Sequence, residues 1–380
     1  MTTSLTIFPG TWCTEFAAHV TPWSVVNGQT SEKRQTPPWG RVVLVAVVAL
    51  LVAGTGIVLI PRDSGTPPPV TFTENARVGA FEDTLRLRES ATALAEAAGP
   101  DTGKPVLGDA VTLLTTQAQA LLDPAGTPSS AASTPSTETT RASFVADLAV
   151  SGRKRLTDAG EADGGIARLL AAVGSAQLLQ AEKLAAGWQM PVPKEPAPSA
   201  TTVPASTPSA APCPSVSPTA DTTSATTDAA LAAAVRSQQE AIYAYQVALK
   251  RLDSKAAEAA ARDLQAHELS LQQVEALTRA NCGDVPASEA GYRLPGQFAK
   301  DPASSLAALE FSSLPVFADL VALSTGETRT WAVDGLLAAA RRSIAWGADA
   351  PALPGLKLDP GDLPPLPIPG STGSATSDAG

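Results

Sequence analysis

The chain has 380 residues, with 37 Asp and Glu against 27 Lys and Arg, a formal net charge of −10 and a pI near 4.8. No run of Lys or Arg suggests a nucleic-acid surface, and that class is set aside. Only 4% of residues are aromatic while Ala is abundant, a composition that suits closely packed helices better than sheets.

Residues 1–40 form a short N-terminal segment, read as cytoplasmic, and 41–61 hold the first element. It is an apolar run from Val42 to Ile60 without a charge, flanked by Arg41 and by Pro61-Arg62. At about 1.5 Å per residue, a helix of this length matches the ~30 Å hydrocarbon core of a bilayer. It is apolar on every face rather than along one stripe, which argues against an ordinary core helix. It exceeds the roughly 7–15 apolar residues of a cleaved signal, and Ile60-Pro61-Arg62-Asp63 lacks a small-residue cleavage site, so the run predicts a retained transmembrane helix. Lys33, Arg34 and Arg41 precede it and Arg62 and Arg77 follow. That slight asymmetry, with the Pro/Ser/Thr-rich text further on, predicts a single-pass membrane protein with its N-terminus inside and the bulk of the chain extracytoplasmic. The lipid bilayer is thus the first expected partner.

After a Pro-rich neck, residues 70–189 predict a first bundle of four helices. The first begins near Thr73-Glu74-Asn75, carries Val78, Phe81 and Leu85, and stops at Gly99-Pro100. The second covers 104–122, with Val111, Leu114, Ala118 and Leu121 on one face. Two more cover 141–158 and 165–188, the last with Ile166, Leu169, Val173, Gln177 and Leu184. Residues 190–227 are a Pro/Ser/Thr-rich linker whose composition cannot bury a core and is expected to give the outer part reach.

Residues 228–350 repeat the four-helix plan. The stripe of the first helix runs through Leu231, Val235, Gln238, Ile242, Tyr245 and Leu249. That of the second runs through Ala257, Ala260, Leu264, His267, Leu271 and Val274, and Asn281-Cys282-Gly283 stops it. The third covers about 301–323, with Pro302 at its first turn and Pro315 inside it, where a kink is expected because the bond to Phe311 is lost. The fourth covers about 327–346, and 351–380 is a Pro/Gly-rich tail. The fold class read from this pattern is all-α: one transmembrane helix, then two antiparallel four-helix bundles. The two bundles have similar size, without an evident residue-level repeat.

Of the cysteines, Cys13 precedes the anchor, while Cys213 and Cys282 follow it, where disulfides persist. A Cys213–Cys282 bridge and two free or intermolecularly paired thiols are both open on sequence.

A di-metal four-helix bundle uses one Glu from each of two helices and a Glu-x-x-His from each of the others. The chain has only His19 and His267, so that set is impossible. His267 lies on an apolar stripe with Leu264, not a carboxylate, three residues before it. Gln238 faces the same interior, and Glu310 is the inward carboxylate of the third helix. A guanidinium of the fourth helix, Arg341 or its neighbour Arg342, would repel a metal and pair with Glu310. The open readings are a weak metal site at His267 and Glu310, a buried polar cluster of Gln238, His267, Glu310 and Arg341, or residues that never meet. No phosphate-binding Gly loop or nucleophile elbow occurs, and neither a catalytic residue nor a cofactor is expected.

Glu240-Ala241-Ile242-Tyr243-Ala244-Tyr245, His267, Tyr292-Arg293-Leu294-Pro295, Glu310 with Phe317-Ala318-Asp319-Leu320, and Trp346-Gly347 followed by Pro354-Gly355-Leu356 together resemble a ferritin-like domain-of-unknown-function family of exported actinobacterial proteins. The resemblance covers about 231–356 and implies a ferritin-like fold for the second bundle, without an established activity. The family pattern has Glu-His where this chain has Gln238-Gln239, which removes a carboxylate. The function expected is a membrane-anchored, non-enzymatic binding or envelope-structural module whose partner is an unidentified envelope protein or a second copy. The alternative is a metal-binding or oxidoreductase ferritin-like protein with a degenerate site.

Overall fold

The computed structural model describes residues 70–98, 104–122, 139–191 and 225–366. The chain divides into two units, 1–68 and 69–380, and all described residues belong to the second. The expected anchor at 42–60, the linker between 192 and 224 with Cys213, and the end of the tail lie outside the described residues.

Among the described residues the regular structure is helical throughout, with no strand. The helices are α1 (Phe72–Ala97), α2 (Lys104–Leu121), α3 (Arg141–Glu161), α4 (Gly164–Gly187), α5 (Thr227–Ala248), α6 (Ser254–Ala280), α7 (Pro302–Leu323) and α8 (Gly326–Ala345), followed by a short 3-10 turn, Pro360–Asp362. Short polar side chains set most of the starts. Thr71, Thr226, Asp253 and Asp301 each accept a hydrogen bond from a backbone N–H three residues on, and Thr140 and Ser143 form a reciprocal capping box. Each such cap stabilises its helix by about 1 kcal/mol. Pro302 sits in the first turn of α7, where its missing N–H costs nothing. The helix runs on through Pro315 to Leu323 as one element.

Neighbouring helices pair in sequence: α1 on α2, α3 on α4, α5 on α6 and α7 on α8. α1 also packs on α3, and α5 on α7. The α3–α4 crossing is very close because each helix presents a glycine. A Cβ on Gly174 would stand 2.7 Å from the Gly152 carbonyl oxygen, and one on Gly152 2.9 Å from that of Gly174. Leu107, Leu114, Leu121, Leu148 and Leu170 are fully buried, each worth about 1.5–3 kcal/mol of transfer free energy.

The two sets of four helices do not stand apart. α4 packs against α7 and α8, α3 touches α8, and one apolar core runs through both sets. The reach expected of the linker is therefore not expressed as a free outer bundle. α7 is the one described helix long and apolar enough to cross a membrane by length and composition. Half of it is buried, since it has neighbours on several sides: α5, α8 and α4. That explains an apolar surface all round without a bilayer.

The segment after α8 is strapped back over the helices. Gln117 of α2 donates to the Ala352 carbonyl and Arg168 of α4 to that of Gly355. Gly355 has φ +78°, and a Cβ there would lie 2.6 Å from Ala318 Cβ, so only glycine fits. Cys282, just past α6, is disulfide-bonded and left-handed at φ +61°, while Cys13 and Cys213 lie outside the described residues.

Candidate functional site

Four helices each bring a polar side chain to one buried point. α5 supplies Gln238 and Tyr245, seven residues apart and so on one face. α6 supplies His267 from its apolar stripe, α7 supplies Glu310, and α8 supplies Arg342. Glu310 is 1% exposed and His267 3%. Three donors converge on a single oxygen, Glu310 Oε1: the Tyr245 hydroxyl at 2.7 Å, His267 Nε2 at 2.8 Å and Arg342 Nε at 2.9 Å. Glu310 Oε2 is buried without a hydrogen-bond partner. His267 Nδ1 lies 2.9 Å from Gln238 Oε1. A glutamine suits that place because its amide carries both an acceptor and a donor, and so serves the imidazole whether or not Nδ1 holds a proton.

Burial by itself would lift the Glu310 carboxyl. The His267 hydrogen bond and the Arg342 guanidinium outweigh it and hold the group below the usual glutamate range. Burial would likewise lower Arg342, but the Glu310 charge and hydrogen bond raise it above its ordinary value. Burial, then the Glu310 charge, pushes the Tyr245 phenol far up, so it stays a hydrogen-bond donor. Beside this centre Asp263 accepts from Trp346 Nε1 at 2.9 Å, and burial lifts its carboxyl above the usual range. The Tyr245 ring packs against His267 and edge-on to Trp346.

Of the residues singled out in sequence, Gln238, His267 and Glu310 meet. The guanidinium at Glu310 belongs to Arg342 and not to Arg341, which reaches across to Glu182 of α4 at 2.7 Å. A step of about 100° per residue separates the two directions. Sequence spacing does not separate the two: Arg342 stands three residues beyond Ala339 and Arg341 four beyond Leu337, both buried. Tyr245 was visible on its stripe as a packing and hydrogen-bonding group, but its aim at Glu310 was not. Gln239, beside Gln238, holds the loop before α7 by donating to the Pro286 carbonyl and accepting from the Tyr292 hydroxyl.

A second polar cluster, which sequence did not reveal, lies among α1–α4. Gln177 donates to Gln117 at 3.1 Å, and Arg155 is fully buried. Its Nη2 sits 3.1 Å from Asp158 and 3.6 Å from Asp83, and none of its N–H groups is aligned for a hydrogen bond. Burial pulls the Arg155 guanidinium below its ordinary value, against the opposing pull of Asp158 and Asp83. Only Gln177, on the stripe of α4, had signalled a polar interior here.

Among the described residues no group of three or more His, Cys, Asp or Glu side chains stands close enough to hold a metal ion. At Glu310 the donors are one carboxylate and one imidazole, and the Arg342 guanidinium bonds the same carboxylate oxygen that faces the imidazole; this set does not fit a metal centre. An open groove of about 510 Å³ lined by Arg88, Glu89, Thr92 and Val111 belongs to α1 and α2, away from this cluster.

Residues 230–358 match the model of a family described as a domain of unknown function (DUF4439). The match takes in the five residues of the Glu310 cluster and the Pro354-Gly355 strap. Comparison with curated proteins and with solved structures gives no match.

Proposed function

We propose that this chain is a single-pass, membrane-anchored protein whose helices work outside the cytoplasm as a non-enzymatic binding or envelope-structural module, with the second set folded as a ferritin-like bundle. Its tether would be the run from Val42 to Ile60, and its partner an envelope protein or a second copy. The observation that supports a non-enzymatic role is the saturation of Glu310 Oε1 by Tyr245, His267 and Arg342. A carboxylate surrounded by the chain's own donors is spent on holding four helices together. A reactive site would leave it facing an open cavity.

The competing reading, a metal-binding or oxidoreductase ferritin-like protein, draws on the His267–Glu310 contact and on the unpartnered Oε2. Elemental analysis of protein purified from membranes separates the two. Less than about 0.1 metal per chain is expected, and stoichiometric iron, manganese or zinc, lost in Glu310→Ala, refutes the structural reading. Protease accessibility in intact cells tests the topology, with the helices expected outside. The disulfide at Cys282 is assigned in this reading to Cys213, the cysteine on the same side of the anchor. Non-reducing peptide mapping that links Cys282 elsewhere refutes that pairing.

A further inference from the structure

We infer that α1–α4 and α5–α8 are two copies of one four-helix unit, paired face to face about a pseudo-twofold axis. The first copy has lost the polar centre and serves as a built-in partner for the second.

Four pairings recur in both sets: first helix on second, third on fourth, first on third, second on fourth; the first set adds a contact of first on fourth. The third and fourth helices join through matching turns, Ala162-Asp163-Gly164 and Ser324-Thr325-Gly326. Their glycines are both left-handed, at φ +37° and +58°, and Ala162 and Ser324 each donate a backbone N–H four residues back, to Asp158 and Leu320.

Placing Gly164 on Gly326 registers α3 on α7 and α4 on α8. In that register seven of the nine buried residues of α7 fall on buried residues of α3, and eight of the nine of α8 on buried residues of α4. The five buried residues of α1, spaced 4, 4, 3 and 4, fall on Ala230, Ala234, Gln238, Ala241 and Tyr245 of α5, all buried. Leu107, Leu114 and Leu121 of α2 fall on Ala260, His267 and Val274 of α6.

The interface obeys the same symmetry. A twofold that exchanges α3 with α7 and α4 with α8 turns an α4–α7 contact into an α8–α3 contact. Both exist, with α4–α8 contact between them. At its centre Arg329, 5% exposed, donates to the carbonyl oxygens of Ser324 and Ala162, the two equivalent residues of the two turns. One arginine therefore ties together the two related helix ends. Flanking pairs Arg168–Asp319 at 2.7 Å and Arg341–Glu182 at 2.7 Å also join the copies.

Under this register the polar centre of the second copy has apolar or uncharged counterparts in the first. Thr84 stands for Gln238, Ala91 for Tyr245, Leu114 for His267, Leu148 for Glu310 and Gln180 for Arg342. Carboxylate, imidazole and guanidinium are replaced as a set, which leaves no charge stranded. The sequence shows no repeat because the shared feature is which positions are buried, whereas the residues at them have changed size and polarity.

The test uses the full chain in detergent, with a protease site inserted after Ala200 and cut to completion under reducing conditions. The two halves are expected to co-elute one to one in size-exclusion chromatography at micromolar concentration. Arg329→Ala is expected to weaken their association at least tenfold, while Arg251→Ala, whose contact to Ala299 stays within the second copy, leaves it unchanged. Halves that elute apart, or an unchanged association in Arg329→Ala, overturn the pairing. The equivalence of the copies is read from an uncut variant with the first copy's residues at four positions (Gln238→Thr, His267→Leu, Glu310→Leu, Arg342→Gln) and with Tyr245→Phe, which removes the hydroxyl and keeps the ring where the first copy has Ala91. It is expected to melt cooperatively and above Glu310→Leu alone; a melting temperature at or below that of the single variant overturns the register.

Discussion

Replacing Glu310 by Gln keeps the shape of the side chain and removes the charge on which Tyr245, His267 and Arg342 converge. The amide oxygen still accepts a hydrogen bond, so the loss is chiefly that of the counter-charge to Arg342, whose side chain is 16% exposed. Removing one member of a buried pair leaves the other uncompensated and costs about 3–5 kcal/mol. Arg342 keeps a little solvent and the nearby charge of Asp263, which places the expected cost at the low end, about 3 kcal/mol. For a domain of roughly 150–250 residues each kcal/mol moves the melting temperature by about 2–4 °C, so a fall of about 6–12 °C is expected. Urea denaturation at pH 7 reads the same change as a lower midpoint with an unchanged slope. A loss below about 1 kcal/mol refutes the premise that Glu310 binds the four helices through a desolvated charge.

The folded Glu310 carboxyl lies below its unfolded value, so the stability it contributes is present above about pH 4.3 and is lost as pH falls through the lower folded value. Urea midpoints measured from pH 7 to pH 3 should drop along this limb in the native chain and more shallowly in Glu310→Gln; equal slopes refute it. Gly174→Ala places a Cβ 2.7 Å from the Gly152 carbonyl, where backbone must yield, and should destabilise by about 1–3 kcal/mol in calorimetry; an unchanged melting temperature refutes the close crossing. Arg155→Met removes a fully buried guanidinium that makes no hydrogen bond, while Asp158 keeps Lys154 and Asp83 keeps Arg86 and solvent, so the change should lie within about 1 kcal/mol of neutral. A loss above about 2 kcal/mol would show that Asp83 and Asp158 depend on it.

The elements themselves were legible in the chain. Apolar residues at spacings of 3 and 4, closed by Thr, Asp, Gly and Pro at the ends, locate eight helices to within a few residues, because helix periodicity and capping are local properties. The same stripes turn His267 and Gln238 inward, and Glu310 was read as the inward carboxylate of its helix. Sequence did not decide which guanidinium meets Glu310, since Arg341 and Arg342 are adjacent and only the rotation of α8 against α7 selects between them. It also did not reveal Arg155 buried among α1–α4 or Arg329 across two helix ends, because each depends on contacts between residues far apart in the chain. Nor did it show that α4 lies on α7: an all-round apolar helix states that it will be covered, while the shapes of its neighbours determine by what. Local spacing fixes where a helix begins and which way it faces; which face it meets follows only when the whole core closes.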